Sequence, residues 1–292
     1  MTSIKKTDLV LNVDGSIYHL KLFPGDVAET IFLVGDPGRV ELVASFFDTI
    51  DLKKRNREIH TITGTYKGKR LSVMSSGMGP DNIELVVNEL DALFNIELDK
   101  KIEKQEKTSI NLIRIGTSGA LQPEIPIIHS YLVSEYGIGF DGLAYFYDKN
   151  NKVIDNELTI SFLKMMDWAS DLPKPYGVKA SDYLLEKIGH GWRRGITLTA
   201  PGFYAPQGRE LRLKVKDNTL VKRSSIYKYK DLEVTNFEME TSALYFLSSM
   251  LGHNALTICD IIANRVTHDF NPHHETSMKN LIKEVLDRII KL

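Results

Sequence analysis

Three short apolar runs, at residues 31–34, 70–74 and 110–115, each end in a cluster rich in glycine with serine, threonine or proline. Runs this short and this apolar read as strands buried on both faces. Strands punctuated at one end by small residues are what a parallel or mixed sheet presents when its ligand cleft lies at the strand ends. The first run passes through Gly35, Pro37 and Gly38 into an apolar-periodic segment at 40–47, and the second through Ser75-Ser-Gly-Met-Gly79 into a helical pattern reaching Phe94. The third follows a charged stretch at 99–107 and is expected to end in the turn Gly116-Thr-Ser-Gly119. Further strands are expected at 130–133, 195–199 and 256–263, with hairpin-like material at 58–66 before Lys67-Gly68. A closing helix is expected over 275–292, with Leu281, Val285, Leu286 and Ile289 spaced to bury one face.

The fold class is therefore α/β with a central mixed sheet. At 292 residues the chain is long enough for one large α/β domain. We expect a single domain over 1–292, with 1–29 as an N-terminal arm and 137–189 as a local elaboration. In the latter, a polar turn falls at 148–156 and Pro173 and Pro175 interrupt any long helix.

Charge narrows the function classes. Lys plus Arg number 37 against 38 Asp plus Glu, a formal charge of -1, which offers no general attraction to nucleic acid but leaves room for a local anion pocket. The single cysteine, Cys259, has no internal disulfide partner and sits in an apolar run, as a buried thiol does. Residues 1–14 lack the apolar core of a signal peptide and no segment approaches a membrane span, so a cytoplasmic protein with no membrane partner is expected.

Arg39, Arg114 and Thr117 sit at or just after strand ends, where two guanidinium forks, a hydroxyl and turn amides make a complete oxyanion site. Arg114 interrupts an apolar strand, a costly place for a charge unless it is paired or binds an anion. Arg57, in Arg55-Asn-Arg-Glu58, is either a third anion ligand or part of a charged surface turn. The turn at Gly35 is neither a dinucleotide fingerprint nor a P-loop, lacking a third glycine and a Gly-Lys pair followed by Ser or Thr.

A second group, Phe203-Tyr-Ala-Pro-Gln-Gly-Arg209, carries an aromatic pair, an amide and a guanidinium on a Pro/Gly-shaped loop. Gln207 both donates and accepts, whereas Arg209 only donates, which suits a planar base with carbonyl oxygens. The plainer reading is an exposed loop with one aromatic anchor. A third group, Glu238-Met-Glu240, precedes a segment where Met239, Ala243, Phe246, Leu247 and Met250 recur at helical spacing. Its two acids are either acceptors for a sugar diol or ordinary glutamates at a helix start. The histidines, His19 and the late His268, His273 and His274, lack the partners of a metal site, and no nucleophile elbow is present.

Taken together, Val34-Gly-Asp-Pro-Gly-Arg39, Arg114-Ile-Gly-Thr-Ser-Gly-Ala120, Phe203-Tyr-Ala-Pro-Gln-Gly-Arg209 and Asn236-Phe-Glu-Met-Glu240 resemble the uridine phosphorylase branch of the purine nucleoside and uridine phosphorylase family. The match spans roughly residues 18–266. It implies a three-layer α/β/α nucleoside phosphorylase-like fold and reversible phosphorolysis of uridine to uracil and ribose 1-phosphate. Inorganic phosphate is then a co-substrate, with no cofactor and no metal. By that resemblance Gly35, Arg39, Arg114 and Thr117 surround phosphate, joined by Arg57 from a neighbouring subunit. Met239 and Glu240 contact ribose, and His19 of the same neighbour approaches its 5′ hydroxyl. Phe203, Gln207 and Arg209 hold the base, and Arg114, Arg209 and Glu240 carry the chemistry. A homodimer at minimum is implied; a trimer of dimers is common in the bacterial family while some relatives remain dimers, and the sequence fits either.

In the purine-cleaving branch an aspartate protonates the base, and the resemblance places Ile262 at that position, with Asp260 two residues earlier. Simple strand alternation puts both on one face, so a purine nucleoside phosphorylase is the alternative within the same chemistry. A nucleosidase using water and a non-catalytic nucleoside-binding regulator are the more distant alternatives. Two departures from compact bacterial uridine phosphorylases stand out: Gly79 is followed by Pro80-Asp-Asn, and the 137–189 region is long.

Overall fold

The apolar run at 31–34 forms strand β1 (Thr30–Val34), buried throughout, in a computed structural model that describes residues 3–292. Asp36 ends the strand by accepting from Gly38 N at 2.8 Å, and Pro37 opens helix α1 (Pro37–Ala44) with its fixed φ. A meander follows: β2 (Thr49–Asn56), β3 (Ile59–Tyr66) and β4 (Lys69–Ser75). Helix α2 (Pro80–Asn95) leads to the short pair β5 (Ile96–Glu97) and β6 (Ile102–Glu103). Next come β7 (Asn111–Ala120), β8 (Tyr131–Gly139), α3 (Asn156–Met165), β9 (Tyr176–Lys179), α4 (Asp182–Lys187) and β10 (Arg193–Thr199). The chain closes with α5 (Leu220–Ser225), β11 (Lys228–Tyr229), β12 (Leu232–Glu238), α6 (Thr241–Leu251), β13 (Asn254–Asn264), β14 (Asp269–Phe270) and α7 (Glu275–Ile289).

The fold is a three-layer α/β/α arrangement around one mixed sheet ordered β11-β12-β10-β8-β13-β7-β1-β4-β3-β2. Parallel pairing joins β4, β1, β7 and β13, and again β8, β10 and β12, while β13 and β8 run antiparallel. The C-terminal end of β7 also pairs with β12 through Gly119 and Ala120, closing β7, β13, β8, β10 and β12 into a ring. That closure corrects one expectation: Gly116-Thr-Ser-Gly119 is not a turn but the second half of β7. Small residues there let a strand bend, and pairing with β13 through to Ala120, joined by β12 at Gly119 and Ala120, keeps it extended.

Among the strands not expected from the sequence, the two longest are β2 and β12. The edge strand β2 is largely solvent-facing and charged, as edges that avoid further pairing are. β12 sits directly before a helix whose pattern dominates the local reading. That helix begins at Thr241 and is buried from there through Ser248, so Met239, expected on its buried stripe, lies outside it. The closing helix stops at Ile289, with the four expected apolar positions all buried.

Of the expected arm at 1–29, residues 1 and 2 lie outside the described residues. From residue 3 onward it lays Leu9, Ile17, Leu20, Leu22 and Val27 into the main apolar core. Within 137–189, β9 pairs antiparallel with the end of β8, and Leu158, Phe162 and Tyr176 pack into the interior. No helix among the described residues is long and apolar enough to cross a membrane.

Candidate active site

The ends of β1, β7, β12 and β13 open onto a cavity of about 760 Å³. Its wall brings together Gly35, Arg39, Arg114 and Thr117 with Met239, Glu240, Phe203, Gln207, Arg209 and Ile262. His19 and Arg57 do not reach it. They sit side by side elsewhere: Asn56 Nδ2 donates to His19 O at 2.7 Å, and Arg57 lies 5.7 Å from the Tyr18 ring centroid. His19 is held by Glu89, which faces its Nδ1 at 2.5 Å and accepts from its backbone N–H.

At one end of the cavity Arg114 is buried within β7, ion-paired through Nη2 to Glu240 and through Nη1 to Glu238 at 3.3 Å. Burial opposes its charge, but the two carboxylates outweigh that and hold its pKa above the usual value. Two carboxylates share one guanidinium, and burial together with Glu238 pushes Glu240 upward against the pull of Arg114. Glu240 also accepts from Gly79 N at 2.8 Å, tying it to the start of α2. Arg39 is less committed, with one long hydrogen bond from Nη1 to Ile115 O at 3.3 Å. Burial and the nearby Arg114 both lower its pKa, the signature of two cations converging on a place suited to an anion. Burial pushes the Cys259 thiol, behind Arg114, up to about 12, so it is protonated and inert near neutral pH.

At the other end, Arg209 packs its guanidinium 3.9 Å from the Phe203 ring centroid and donates to Phe203 O at 2.8 Å. Gln207 is buried; its Oε1 accepts from Arg209 and its Nε2 donates to Gly202 O at 3.3 Å. Arg265 Nη2 donates to Gln207 O at 3.0 Å, bracing this loop from β13. Burial and that second guanidinium lower Arg209 to about 10, which leaves it charged near neutral pH. Phe203 is half exposed at the mouth, so the loop presents an open stacking face.

Strand alternation does not put Asp260 and Ile262 together. The register of β13 against β7 slips between Ile261 and Ala263, a bulge that places Ile262 on the cavity wall. Asp260 instead accepts from Ser277 Oγ of α7 at 2.7 Å and does not line the cavity. Several cavity residues have no role assigned from the sequence: Glu58 and Met78, His268, which is weighed there only as a metal ligand, and Asp269 and Phe270 of β14. Among the described residues no group of three or more His, Cys, Asp or Glu is placed to hold a metal.

The arrangement combines an anion end, an acid able to accept from hydroxyls, and an aromatic and amide end for a planar ring. Residues 29–291 match the family model described as the phosphorylase superfamily. The chain is 30% identical over 259 residues to a uridine phosphorylase of Thermococcus kodakarensis, covering 88% of this chain and 80% of the relative. It is 32% identical over 277 residues to a DeoD-type purine nucleoside phosphorylase of Bacillus cereus, covering 94% and 98%. A Trypanosoma brucei nucleoside phosphorylase described as showing uridine phosphorylase activity superposes with a TM-score of 0.87 at 29% identity, covering 98% of this chain and 100% of that one. A Phytophthora capsici uridine phosphorylase shares the fold, with a TM-score of 0.74 at 22% identity, over 100% of this chain and 99% of that one. With its fold, its cavity and a family match running almost from end to end, the chain belongs to the phosphorylase superfamily.

Proposed function

We propose that this enzyme is a uridine phosphorylase, a pentosyltransferase that converts uridine and inorganic phosphate to uracil and α-D-ribose 1-phosphate. In this reading Gly35, Arg39, Arg114 and Thr117 hold phosphate, Met239 and Glu240 hold the ribose, and Phe203, Gln207, Arg209 and Ile262 receive the base. A phosphate oxygen bonds to C1′ as the bond from C1′ to the base nitrogen breaks, and the bonding pair leaves with the base. Positive character grows on the sugar and negative charge on uracil, so the phosphate dianion stabilises the first and Arg209 the second. A guanidinium is a poor proton donor near neutral pH, so Arg209 acts by charge and hydrogen bonding. Nothing in this scheme calls on a cofactor.

The observation that carries the choice of base is Ile262 on the cavity wall, where an apolar side chain offers a purine ring nitrogen no proton, while Asp260 is bonded to Ser277. The Gln207 and Arg209 pair supplies an acceptor and donors for the carbonyl and ring N–H edge of uracil. The similarity to DeoD-type enzymes keeps inosine as the comparison substrate. Pyrimidine salvage in the cytoplasm is the setting this reading gives the enzyme. In this reading a homodimer at minimum completes each site with Arg57 and His19 of the neighbour, and dimer and trimer of dimers both satisfy that requirement.

The test is uridine and inosine consumption with and without phosphate. Phosphate-dependent release of uracil and ribose 1-phosphate, with uridine strongly preferred, is expected. Faster inosine cleavage would assign the purine reaction, phosphate-independent cleavage a nucleosidase, and binding without turnover a regulator.

A further inference from the structure

Glu238 is anchored by more contacts than Glu240, two residues on, although neither the resemblance nor the proposed roles give it a task. It is the last residue of β12, and its buried carboxylate accepts from Glu240 N at 2.9 Å and from Thr241 N at 3.0 and 3.1 Å. Thr199 Oγ1, at the end of β10, donates to it at 2.7 Å. These contacts come from β10 and from the first residues of α6, so the carboxylate is fixed independently of Arg114. Its Oε2 then meets Arg114 Nη1 at 3.3 Å.

Glu240 is held differently. Outside its pair with Arg114, one side-chain oxygen takes a single backbone N–H, that of Gly79. An anion that takes Nη2 of Arg114 displaces Glu240 from it and frees that carboxylate to accept from the ribose hydroxyls. Nη1 stays with Glu238, so the guanidinium keeps its plane and direction while its other nitrogen changes partner.

We infer that Glu238 is a positioning residue that holds the Arg114 guanidinium in its phosphate-facing orientation. The inference rests on the reading of Arg114 as a phosphate ligand. A plain helix cap needs only the N–H contacts at Glu240 and Thr241, and the contacts to Thr199 and Arg114 go beyond that role. Glu238→Gln separates the two: with its amide oxygen in the Oε2 position it still accepts from Glu240 N and Thr241 N, but it meets Arg114 Nη1 only as a neutral acceptor, so the cap is kept and the charge that holds the guanidinium is lost.

Calorimetric titration with inorganic phosphate and, separately, with uracil tests this on the purified protein. In Glu238→Gln the phosphate Kd is expected to rise at least tenfold, with the uracil Kd and the melting profile little changed. Glu238→Asp keeps the charge but shortens the reach by one methylene, and a smaller rise confined to phosphate is expected; it decides the matter if the glutamine variant does not fold. Phosphate Kd values within twofold of the parent, or phosphate and uracil binding that weaken together with the melting temperature, would overturn the inference. A parent protein that binds uracil but no phosphate would instead overturn the reading of the anion site itself, and this inference with it.

Discussion

The guanidinium of Arg114 folds back along its own strand over Gly116 and occupies the space that a Cβ at Gly116 would need. Gly116 is thus a requirement of the anion end. In Gly116→Ala the methyl group displaces a buried side chain already bound to two carboxylates, so the contacts to Glu238 and Glu240 must break or lengthen. Loss of a charged contact that strengthens in the transition state costs about 2–4 kcal/mol, or roughly tens to hundreds of fold in rate. We expect kcat/KM for phosphate to fall by that order. Steady-state kinetics with phosphate varied, alongside circular dichroism to confirm folding, checks it.

Removing Arg114 altogether has a second consequence, for stability. Arg114→Ala leaves Glu238 and Glu240 buried beside each other with no cation between them, and breaking a buried pair from one side costs about 3–5 kcal/mol. Adding Glu240→Gln relieves part of that by removing one of the two charges. Urea unfolding should place the single variant well below the parent and the double variant between them, while both are inactive. A double variant no more stable than Arg114→Ala would show that the carboxylates are not coupled through this arginine.

How far this site was legible in the sequence depended on whether local pattern or long-range pairing decided each position. The turn from β1 into α1 was readable because Pro37, Gly38 and the capping Asp36 act locally. The continuation of β7 past Gly116 was not, because a glycine that makes room for an arginine looks the same as one that ends a strand. Asp260 and Ile262 point the same way. Alternation predicts one shared face, and only a bulge fixed by pairing with β7 separates them. Glu238 and Glu240 were singled out as a pair, yet their division of labour rests on Thr199, Gly79 and Arg114, residues distant in the chain.

At the base end, Gln207 and Arg209 are one unit, since the amide oxygen accepts from the guanidinium and Gln207 is itself buried. Gln207→Ala removes the brace on Arg209 and, in the proposed reading, a contact to the base. A site built to hydrogen-bond a ring edge loses more from such a change than a site relying on apolar contact. We expect kcat/KM for uridine to fall by roughly 10- to 100-fold, with phosphate affinity intact, on the basis of about 1–3 kcal/mol for a buried unmatched group. Equal losses for uridine and for a substrate lacking the carbonyl edge would argue against edge recognition.

Away from the cavity, Asp141 offers a pH test of the fold. Burial raises its pKa from the ordinary 3.8, against hydrogen bonds from Leu143 N, Tyr176 OH and Ser242 Oγ that favour the anion. A raised folded pKa means that the folded state holds this proton more tightly than the unfolded chain. Its stabilisation is complete below the unfolded value and is lost as pH rises through the folded one. Asp141→Asn has no such proton, so its melting temperature relative to the parent should improve between pH 3 and neutrality, about the range such shifts span. A difference that is flat with pH, or that moves the other way, would contradict the direction of the shift.

Arg57 and His19 lie together and do not line the cavity of their own chain, although Glu58 beside Arg57 does; a neighbour that completes each cavity would have to supply them. Arg57 has the stronger reason to matter, because it would touch the reacting phosphate, whereas His19 would only steady the remote end of the ribose. Arg57→Ala and Arg114→Ala proteins are each expected to be nearly inactive. Mixed under conditions that allow subunits to exchange, they form dimers in which one site carries both lesions and the other carries neither. Activity should therefore return in the mixture, approaching about one quarter of the parent value if pairing is random and each intact site works independently. Mixed dimers verified by mass or tag, with no return of activity, would place Arg57 outside the shared site. Ultracentrifugation of the parent would show whether it forms dimers and whether these assemble further.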